Sequence, residues 1–528
     1  MGKKYDAIII GGGHNGLVTA AYLAKAGREV LVLERREILG GATVTEEVVP
    51  GFQFTVFSYL VSLLRPDIIR ELNLPKHGLM ILPMNSSLTP GLNGEYIYKD
   101  ADHYRTQRHI AQLSPRDAEA YDEYRLTMKL MAKAVRYFQD HPLPDILRLN
   151  EDDRAELAVM GRHLNGLGRD KLHTLIKLMT MSAADFLDEW FEHDLVKADL
   201  VSSGLIGTYL GPRSPGTAYV LLHHYMGEVD GVFRDWGFAK GGTGAVAKAI
   251  AGAARQFGAE IRTNAPVEQV MVKHGQAVGV ALTNGTEIRA EKVVSAADPK
   301  RTFLQFVDPA TLPGDLVAAV EKYNIHGSSA KVNLALTGPP DFACMPGDGP
   351  HLRGAMSIGP SLDYIEQAYD EAKYGDFARR PYLDLFLPAA VDPEMAPPGQ
   401  HVLSCFVQYA PYKLRQGSWE EKREALGDAV VDALAAFIPN IKQLIIGRQV
   451  CTPLDIEQIA GITQGNIFHG EMRLSQVLFN RPAPGYTRYN TPMENYYQCG
   501  AGNHPGGGIS GAPGRLAALE MLRAWREE

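Results

Sequence analysis

The segment Tyr5–Gly41 constrains the fold of this chain more than any other part of its sequence. It opens with a short apolar run, Ala7–Ile10, which is typical of a buried parallel strand. Three glycines in the spacing GxGxxG follow, and then Leu17–Ala26 repeats apolar residues at helical spacing until Gly27. Val30–Leu33 is a second apolar run. This order of strand, glycine turn, helix and strand predicts a dinucleotide-binding fold.

The glycines and the acidic residue of this segment each have a physical role in such a site. Gly11 allows a tight turn, Gly13 lets the backbone approach a pyrophosphate, and Gly16 lets helix and strand pack closely. The pyrophosphate then lies on the helix N-terminus, where free N–H groups and the helix dipole favour an anion. Glu34, 18 residues after Gly16, can accept hydrogen bonds from a ribose. A glycine turn without a ligand is the alternative interpretation.

This opening resembles the FAD-binding signature of the glutathione-reductase-like flavoprotein superfamily, in which a second glycine pair follows the acidic residue. Here that pair is Gly40-Gly41, continuing into Ala42 and Thr43. The resemblance implies FAD as the cofactor, a Rossmann-type α/β domain, and contact between the adenine and the backbone near Val267. The neighbouring residues that we also predict to contact the cofactor are Asn15 and Arg35.

A second GxGxxG, at Gly506, Gly508 and Gly511, raises the alternative of a separate NAD site. Only 17 residues follow Gly511, which leaves room for a helix but not for a further strand and acidic residue. We therefore predict a strand, Tyr496–Cys499, a glycine loop, and an amphipathic helix, Gly514–Trp525, whose N-terminus can stabilise negative charge on a reduced flavin. The loop residues predicted to contact the cofactor are Pro505, Gly507, Gly508 and Ile509.

Residues 240–298 predict a return of the chain to the nucleotide-binding domain. A glycine-rich turn precedes the helical run Ala245–Phe257, and Asn284-Gly285 is a hairpin signal. The β-type runs are Val267–Val272, Ala277–Leu282, Glu287–Ala290 and Lys292–Ala296, which in the flavoprotein superfamily supply a β-meander. We expect a discontinuous FAD-binding domain over residues 1–75, 236–300 and 455–528. An α+β substrate domain is expected over residues 76–235 and 301–454.

Beyond the nucleotide site, the chain resembles the phytoene desaturase-like branch of this superfamily, which is related to the amine oxidases. The subgroup called pyridine nucleotide-disulphide oxidoreductase domain-containing protein 2 is closer still. Its likeness covers nearly the whole chain and depends on Gly216–Glu228, Thr463–Gln476 and His504–Arg515. The resemblance implies hydride transfer to flavin N5 from an apolar, unsaturated or isoprenoid-like substrate such as a carotenoid. Desaturation, saturation and double-bond isomerisation stay open.

Two other functions remain as alternatives. Amine oxidation would usually require an aromatic pair flanking the flavin, and no such pair can be placed from the sequence. A non-catalytic lipid- or prenyl-binding carrier is the other alternative, because Rab escort-type proteins of the superfamily bind prenyl groups without flavin. The intact nucleotide motif favours the enzyme. Since the chain has no second nucleotide fold, we expect oxygen or a quinone as the electron acceptor.

Histidines are the main candidates for catalytic side chains. We predict that His504, beside the C-terminal glycine loop, donates to a flavin carbonyl or relays a proton, and its alternative role is to fix the loop. His223 and His224 lie in a mixed apolar run, where structural packing is the simpler interpretation although one of them can face the cavity. No HxxxH or carboxylate cluster indicates a metal, and the four cysteines include no CxxC pair.

Charge and hydropathy exclude several classes of partner. The net charge is −8 and no run of Lys and Arg occurs, so we expect no binding of nucleic acid. No stretch of about 18 apolar residues is present, and we expect a cytoplasmic protein. The helical patterns Tyr121–Phe138 and Leu172–Phe191 favour a core or a substrate tunnel, with peripheral membrane contact as the alternative. The oligomeric state is not indicated by any feature of the sequence.

Overall fold

The structure, a computed structural model, describes residues 4–84, 86–147, 149–229, 232–233 and 236–527. Its strands, in chain order, are β1 (Tyr5–Ile10), β2 (Val30–Leu33), β3 (Thr45–Val49), β4 (Phe52–Thr55), β5 (Ile81–Pro83), β6 (Ser86–Pro90), β7 (Tyr96–Asp100), β8 (Glu228–Val229), β9 (Val232–Phe233), β10 (Gly237–Ala239), β11 (Glu260–Arg262), β12 (Val267–Lys273), β13 (Gln276–Leu282), β14 (Glu287–Ser295), β15 (Ser329–Leu336), β16 (Ala355–Ile358), β17 (Tyr382–Phe386), β18 (His401–Gln408), β19 (Ile445–Cys451) and β20 (Tyr496–Gln498).

The α-helices are α1 (His14–Lys25), α2 (Pro66–Glu71), α3 (His103–Leu113), α4 (Pro115–Asp140), α5 (Glu151–Gly166), α6 (Arg169–Thr180), α7 (Ala183–Asp188), α8 (Asp194–Val201), α9 (Thr217–His224), α10 (Gly244–Gln256), α11 (Pro299–Leu304), α12 (Gly314–Lys322), α13 (Leu362–Lys373), α14 (Trp419–Ala435), α15 (Ile441–Leu444), α16 (Pro453–Asp455) and α17 (Ala512–Glu527). Short 3-10 turns join several of them.

The first sheet has the strand order β11–β2–β1–β14–β13–β12, and β20 also pairs with β14. Strands β11, β2, β1, β14 and β20 run parallel, as the apolar runs Ala7–Ile10 and Val30–Leu33 predict for β1 and β2. Strands β12, β13 and β14 form the predicted antiparallel meander. The last two predicted runs are one strand, because the first half of β14 pairs with β13 while its second half pairs with β1 and β20.

Helices α1, α10 and α17 cover one face of the first sheet, where their apolar side chains share a core with those of β1 and β2. Helix α17 approaches α1 closely, because a Cβ on Gly514 would lie 2.3 Å from the carbonyl oxygen of Asn15. Thr19 Oγ1 also donates to the carbonyl of Gly514. The sequence prediction of a Rossmann-type α/β domain is confirmed. The predicted domain boundaries stay predictions.

The second sheet has the order β19–β15–β18–β17–β16–β6–β7 and is antiparallel except between β16 and β6. Its register places Lys331, Phe406, Asp384 and Ser357 side by side on β15, β18, β17 and β16. We call these four residues the cross-strand row. Because side chains alternate along a strand, the neighbours Leu383 and Leu385 pack in the core with α14 on the other face.

One of the two helical segments predicted from the sequence, Leu172–Phe191, differs in the structure. Helix α4 contains the predicted segment Tyr121–Phe138. The second segment, Leu172–Phe191, is not one helix, because the backbone is extended at Met181 and Ser182. There Ser182 caps α7 by accepting a hydrogen bond from the Asp185 backbone N–H at 3.0 Å. The apolar spacing continues across the break, which is why periodicity alone did not predict it.

Candidate functional site

The glycine turn between β1 and α1 forms the first wall of the site. Helix α1 begins at His14, with Gly13 in an extended conformation as its N-cap. A Cβ on Gly16 would lie 2.2 Å from the carbonyl oxygen of Gly11, so only glycine allows this approach of helix to turn. A Cβ on Gly13 would meet no described heavy atom closer than 4.0 Å, so it would occupy space that is open to a ligand.

Glu34 fixes the end of β2 against this turn. Its Oε2 accepts a hydrogen bond from the Gly12 backbone N–H at 2.8 Å, and its Oε1 accepts one from the Arg36 backbone N–H at 2.9 Å. The next residue, Arg35, donates from Nη2 to the carbonyl of Gln458 at 2.8 Å, which ties the end of β2 to the helical turn after α16. Both groups are thus held in place before any ligand binds.

These groups line a cavity of about 270 Å³, here called the cofactor cavity. The predicted cofactor residues that line it are Gly11, Gly13, Asn15, Gly16, Glu34, Arg35, Gly40, Gly41, Ala42, Val267, Gly507, Gly508 and Ile509. The fold therefore brings together the N-terminal motif, the start of the meander and the C-terminal glycine loop. Direct contact of each residue with a cofactor stays a prediction.

Three predicted residues lie outside the described lining of this cavity. Thr43 is buried beneath the glycine pair, and its Oγ1 donates to the carbonyl of Gly40 at 2.6 Å. Pro505 is buried beside the C-terminal loop. His504 is buried and its Nε2 lies 2.7 Å from the carbonyl oxygen of Phe138, while burial lowers its pKa to about 4. This geometry fits the loop-fixing role of His504 better than contact with a flavin ring.

Five buried polar atoms on the lining residues have no hydrogen-bond partner among the described residues: His14 Nε2, Asn15 Oδ1, Ser62 Oγ, Arg301 Nε and His469 Nδ1. Buried polar groups normally find partners, because an unsatisfied one costs about 1–3 kcal/mol. The phosphate, ribityl and ring groups of FAD supply both donors and acceptors. The cavity therefore fits FAD in its backbone shape and in its unpaired polar atoms.

His14 and His469 were not predicted as site residues. Burial lowers the pKa of each to about 4, so both are uncharged at neutral pH. A signal for each was present in the sequence. His14 stands inside the GxGxxG motif, and His469 lies within the segment Thr463–Gln476 that carries the subgroup resemblance.

The far side of the cofactor cavity is apolar. The rings of Tyr59 and Phe406 are stacked, with centroids 5.7 Å apart and an interplanar angle of 22°. Leu60, Leu63 and Ile206 complete this wall. None of these five residues was predicted, because each is an ordinary apolar or aromatic residue within its own segment. Their juxtaposition depends on β18, on the chain between β4 and α2, and on the chain after α8 that carries Ile206.

The adjacent histidines of α9 separate, as their spacing requires. His224 lines the cofactor cavity and stacks on Trp236, with ring centroids 6.1 Å apart and an interplanar angle of 15°. His223 lies behind the lining, where its Nε2 is 3.2 Å from the carbonyl oxygen of Gly507. Burial lowers the pKa of His224 to about 4 and that of His223 to about 3. His223 therefore supports the C-terminal glycine loop as a neutral side chain.

A second cavity, of about 830 Å³, adjoins the first and is here called the polar chamber. Leu60, Ile206 and Trp236 line both spaces. The remaining lining is mostly hydroxyl and charged groups from β6, β7, β16, β17 and helices α3, α4 and α8. Its exposed mouth includes Asp122 and Arg125 on α4. The polar chamber was not predicted from the sequence.

Asp384 stands where the two cavities meet. Tyr59, which lines the cofactor cavity, donates from its hydroxyl to Asp384 Oδ2 at 2.5 Å. Asp384 itself lines the polar chamber, between Phe406 and Ser357 in the cross-strand row. Burial raises the pKa of its carboxyl to about 6, although the hydrogen bond from Tyr59 acts in the opposite direction. No basic side chain of the described residues forms an ion pair with Asp384.

Two buried basic side chains support these walls without lining either cavity. Arg481 is fully buried and donates to the carbonyls of Phe468 at 2.6 Å and Ala501 at 2.8 Å, two residues of the cofactor cavity. Lys331 donates from Nζ to the carbonyl of Thr55 at 2.9 Å and lies 5.7 Å from the centre of the Tyr59 ring. Both therefore fix main-chain segments around the site.

Several kinds of site are not found in the described part of the chain. No group of three or more potential metal ligands is present there. The four cysteines are all free, so no pair supports disulfide chemistry. None of the described helices combines the length and hydropathy needed to cross a bilayer.

Comparison with known proteins now identifies the family. The model for flavin containing amine oxidoreductases matches residues 16–512. The pyridine nucleotide-disulfide oxidoreductase domain-containing protein 2 of Rattus norvegicus is 40% identical over 98% of this chain and 94% of its own length. A phytoene desaturase (lycopene-forming) of Pseudescherichia vulneris is 26% identical over 98% of both chains. A solved structure of a redesigned putrescine oxidase is similar with a TM-score of 0.61 at 16% identity, covering 99% of both chains, and shows the fold alone.

These findings agree with the site. The predicted resemblance is confirmed, and the family and the fit of the cofactor cavity agree on FAD. The disulfide chemistry in the name of the rat relative has no counterpart among the cysteines of this chain. The chain belongs to the flavin-containing amine oxidoreductase family and is an FAD-dependent oxidoreductase.

Proposed function

We propose that this enzyme exchanges hydrogen with an apolar carbon skeleton of unsaturated or isoprenoid-like type. The observation that carries the proposal is the apolar wall of the cofactor cavity, where Leu63 and Ile206 adjoin the stacked rings of Tyr59 and Phe406. Apolar groups gain about 25 cal/mol for each Å² that they remove from water on such a surface. The similarity to a phytoene desaturase supports the same substrate type at low identity.

The chain's own residues hold the substrate and exclude water. When bound, FAD supplies two-electron chemistry at its ring. The apolar wall holds a carbon skeleton against that ring and keeps solvent away from it. Because burial lowers the pKa of His14, His224 and His469 to about 4, these side chains put no positive charge beside the substrate at neutral pH. Whether the net reaction is desaturation, saturation or isomerisation depends on the substrate and the acceptor.

Amine oxidation is a second candidate. The carboxyl of Asp384, which has no basic partner among the described residues, favours it because such a group can hold an amine. Tyr59 and Phe406 do not provide the flanking pair of an amine oxidase. Their ring centres are 5.7 Å apart, whereas a group inserted between two rings needs about 7 Å.

The test is anaerobic reduction of the bound flavin. Purified protein loaded with FAD should keep the visible absorbance of oxidised flavin after desalting, and candidate polyene or terpenoid hydrocarbons should bleach it. Amines without a long apolar part should bleach it much more slowly. Bleaching by simple amines alone would favour the second candidate. A protein that never retains FAD would contradict both and favour the prenyl carrier.

The C-terminal glycine loop bears on the electron acceptor. Gly507, Gly508 and Ile509 of this loop line the cofactor cavity, so the second glycine motif belongs to the FAD site and not to a separate NAD site. We therefore propose oxygen or a quinone as the acceptor. Mixing the reduced protein with air-saturated buffer, a soluble quinone or NAD in separate stopped-flow runs tests this. Reoxidation by NAD alone would contradict it.

Contact with a membrane surface is proposed as the route for an apolar substrate. Large apolar side chains are exposed on and near the outer helices, including Leu126, Leu147 and Ile176, with 58%, 64% and 53% of their surface exposed. The protein should float with liposomes in a density gradient. Protein that stays at the bottom of the gradient would remove this proposal.

A further inference from the structure

We infer that the substrate is amphipathic, and that its head group carries hydrogen-bond donors, an amino or hydroxyl group, which Asp384 binds in the polar chamber. This inference rests on the proposed function and refines its substrate class. The reacting part of the molecule still lies against the apolar wall of the cofactor cavity. A wholly hydrocarbon substrate would leave the polar chamber unused.

The two cavities are adjacent. Leu60, Ile206 and Trp236 contribute to the lining of both, and the inference requires one elongated molecule to reach past these side chains from one space into the other. The cross-strand row follows the same path, since Phe406 lines the cofactor cavity while Asp384 and Ser357 line the polar chamber. The change from apolar to polar lining therefore occurs within one row of side chains.

The inner wall of the polar chamber is already paired within itself. Thr89 Oγ1 donates to Asp199 Oδ1 at 2.9 Å and lies 2.9 Å from Ser357 Oγ. Lys99 Nζ donates to Asp199 Oδ2 at 2.5 Å. These groups form a polar surface to which a hydrocarbon cannot hydrogen-bond. Filling the chamber with a hydrocarbon would therefore remove water from these groups without replacing the hydrogen bonds to that water. A ligand with its own polar group avoids that cost.

The charge at the junction selects the type of head group. Asp384 is bonded to the hydroxyl of Tyr59 and has no cationic partner among the described residues. Of the basic groups that line the chamber, Lys99 is paired with Asp199 on the inner wall, whereas Arg125 and Lys129 are exposed on α4, away from the junction with the cofactor cavity. An anionic head group would be repelled by the carboxyls of Asp384 and Asp199. A head group that donates hydrogen bonds would instead find acceptors in these carboxyls. The chamber therefore favours an amine or a hydroxyl over a carboxylate.

Four probes with one chain length test this inference: octane, 1-octanol, octylamine and octanoate. Each is titrated into FAD-loaded protein and followed by calorimetry and by the shift of the flavin spectrum. Octylamine and 1-octanol should each bind about tenfold or more tightly than octane and octanoate. The order between the two distinguishes an ammonium from a hydroxyl head. Equal binding of octane, or tightest binding of octanoate, would overturn the inference.

Two variants assign the preference to one carboxyl. Asp384→Asn should reduce the advantage of octylamine over octane by about tenfold. Asp122→Asn, at the exposed mouth of the same chamber, should reduce it much less. If Asp384→Asn does not fold, Asp384→Glu replaces it as the variant, and the affinities of the four probes for the wild-type protein still test the inference. Flavin content and bleaching by candidate substrates in the same preparations test the proposed function separately, because calorimetry still measures the order of probe affinities when no candidate bleaches the flavin.

Discussion

The cofactor cavity and the polar chamber differ in how far main-chain groups and side chains form their walls. Opposite its apolar wall, the cofactor cavity is shaped by main-chain groups, with glycines at its turn and carbonyls held by Arg481 around its loops. The polar chamber is made of side chains that meet across several strands, as Asp384 and Ser357 do. A main-chain site should respond most to substitutions that move the backbone. A side-chain site should respond most to changes of charge.

The largest expected effect is on the main-chain site, through Arg481→Met. This change leaves the carbonyls of Phe468, Ala501 and Gln476 without their buried donor, so it should lower the free energy of unfolding by about 3 kcal/mol or more. Denaturant unfolding followed by circular dichroism measures it. Arg213→Met, on an exposed ion pair with Asp363, is the control and should change stability by about 0.5 kcal/mol or less. Equal effects of the two would refute the distinction.

Gly16→Val tests the turn directly. The new Cβ would lie 2.2 Å from the Gly11 carbonyl oxygen, and the displacement should cost about 3 kcal/mol, which is about a hundredfold in FAD affinity. The flavin-to-protein ratio after desalting is the measurement. Gly161→Val, on α5 where a Cβ meets nothing within 4 Å, should keep its flavin. Retention of full flavin content by Gly16→Val would contradict the proposed helix–turn contact.

Asp384 sharpens the comparison through pH. Burial raises the pKa of its carboxyl from 3.8 to about 6, so the folded protein holds this proton more tightly than the unfolded chain. The resulting stability is present below about pH 4 and is lost as the pH rises through about 6. The unfolding free energy of the wild type, relative to Asp384→Asn, should therefore fall by about 2 kcal/mol over that window, after allowing for partial solvent screening.

The pH dependence is measured by unfolding the wild type and Asp384→Asn in parallel, so the groups near Asp384 must not titrate in the same range. The titratable side chains that face Asp384 most closely are Tyr59 and Tyr382, and burial raises the pKa of both well above 10.0. Neither therefore titrates in this window. A difference that is flat with pH, or that grows from pH 4 to 6, would show that the carboxyl is not buried as described.

His504→Leu should have the smallest effect and separates its two predicted roles. Loss of the hydrogen bond to the Phe138 carbonyl should cost about 1 kcal/mol of stability. The rate of flavin reduction should change by about twofold or less, because the ring lies outside the cofactor cavity. Stopped-flow reduction of the loaded variant measures the rate. A fall of about a hundredfold or more would restore the proton-relay role.

The part of the site that could be predicted from sequence is the part whose residues are close together in the chain. Gly11, Gly13, Gly16 and Glu34 occupy one strand–turn–helix–strand unit, so their spacing alone fixes their geometry. The resemblance extended this to Val267 and the C-terminal loop. Thr43 was predicted to contact the cofactor, but its side chain points the other way and supports the glycine pair from beneath.

The polar chamber could not be predicted because no segment contains it. Ser357, Asp384 and Phe406 are ordinary members of three separate strands, and only the register of the second sheet makes them neighbours. A lone Asp in an apolar strand, such as Asp384 in Tyr382–Phe386, is the one local signal that was available. The break at Ser182 was missed for a related reason, since the apolar spacing of two helices continues across their cap.

The position of Asp384 at the meeting point of the two spaces has a consequence for regiochemistry. If Asp384 binds the head group as we infer, its place on a β-strand fixes one end of a flexible substrate relative to the cofactor cavity. The reacting bond is then set by its distance from the anchored end. Analogues with longer or shorter tails should therefore react at the same position relative to that end. The tail length would then alter affinity while the product pattern stays constant.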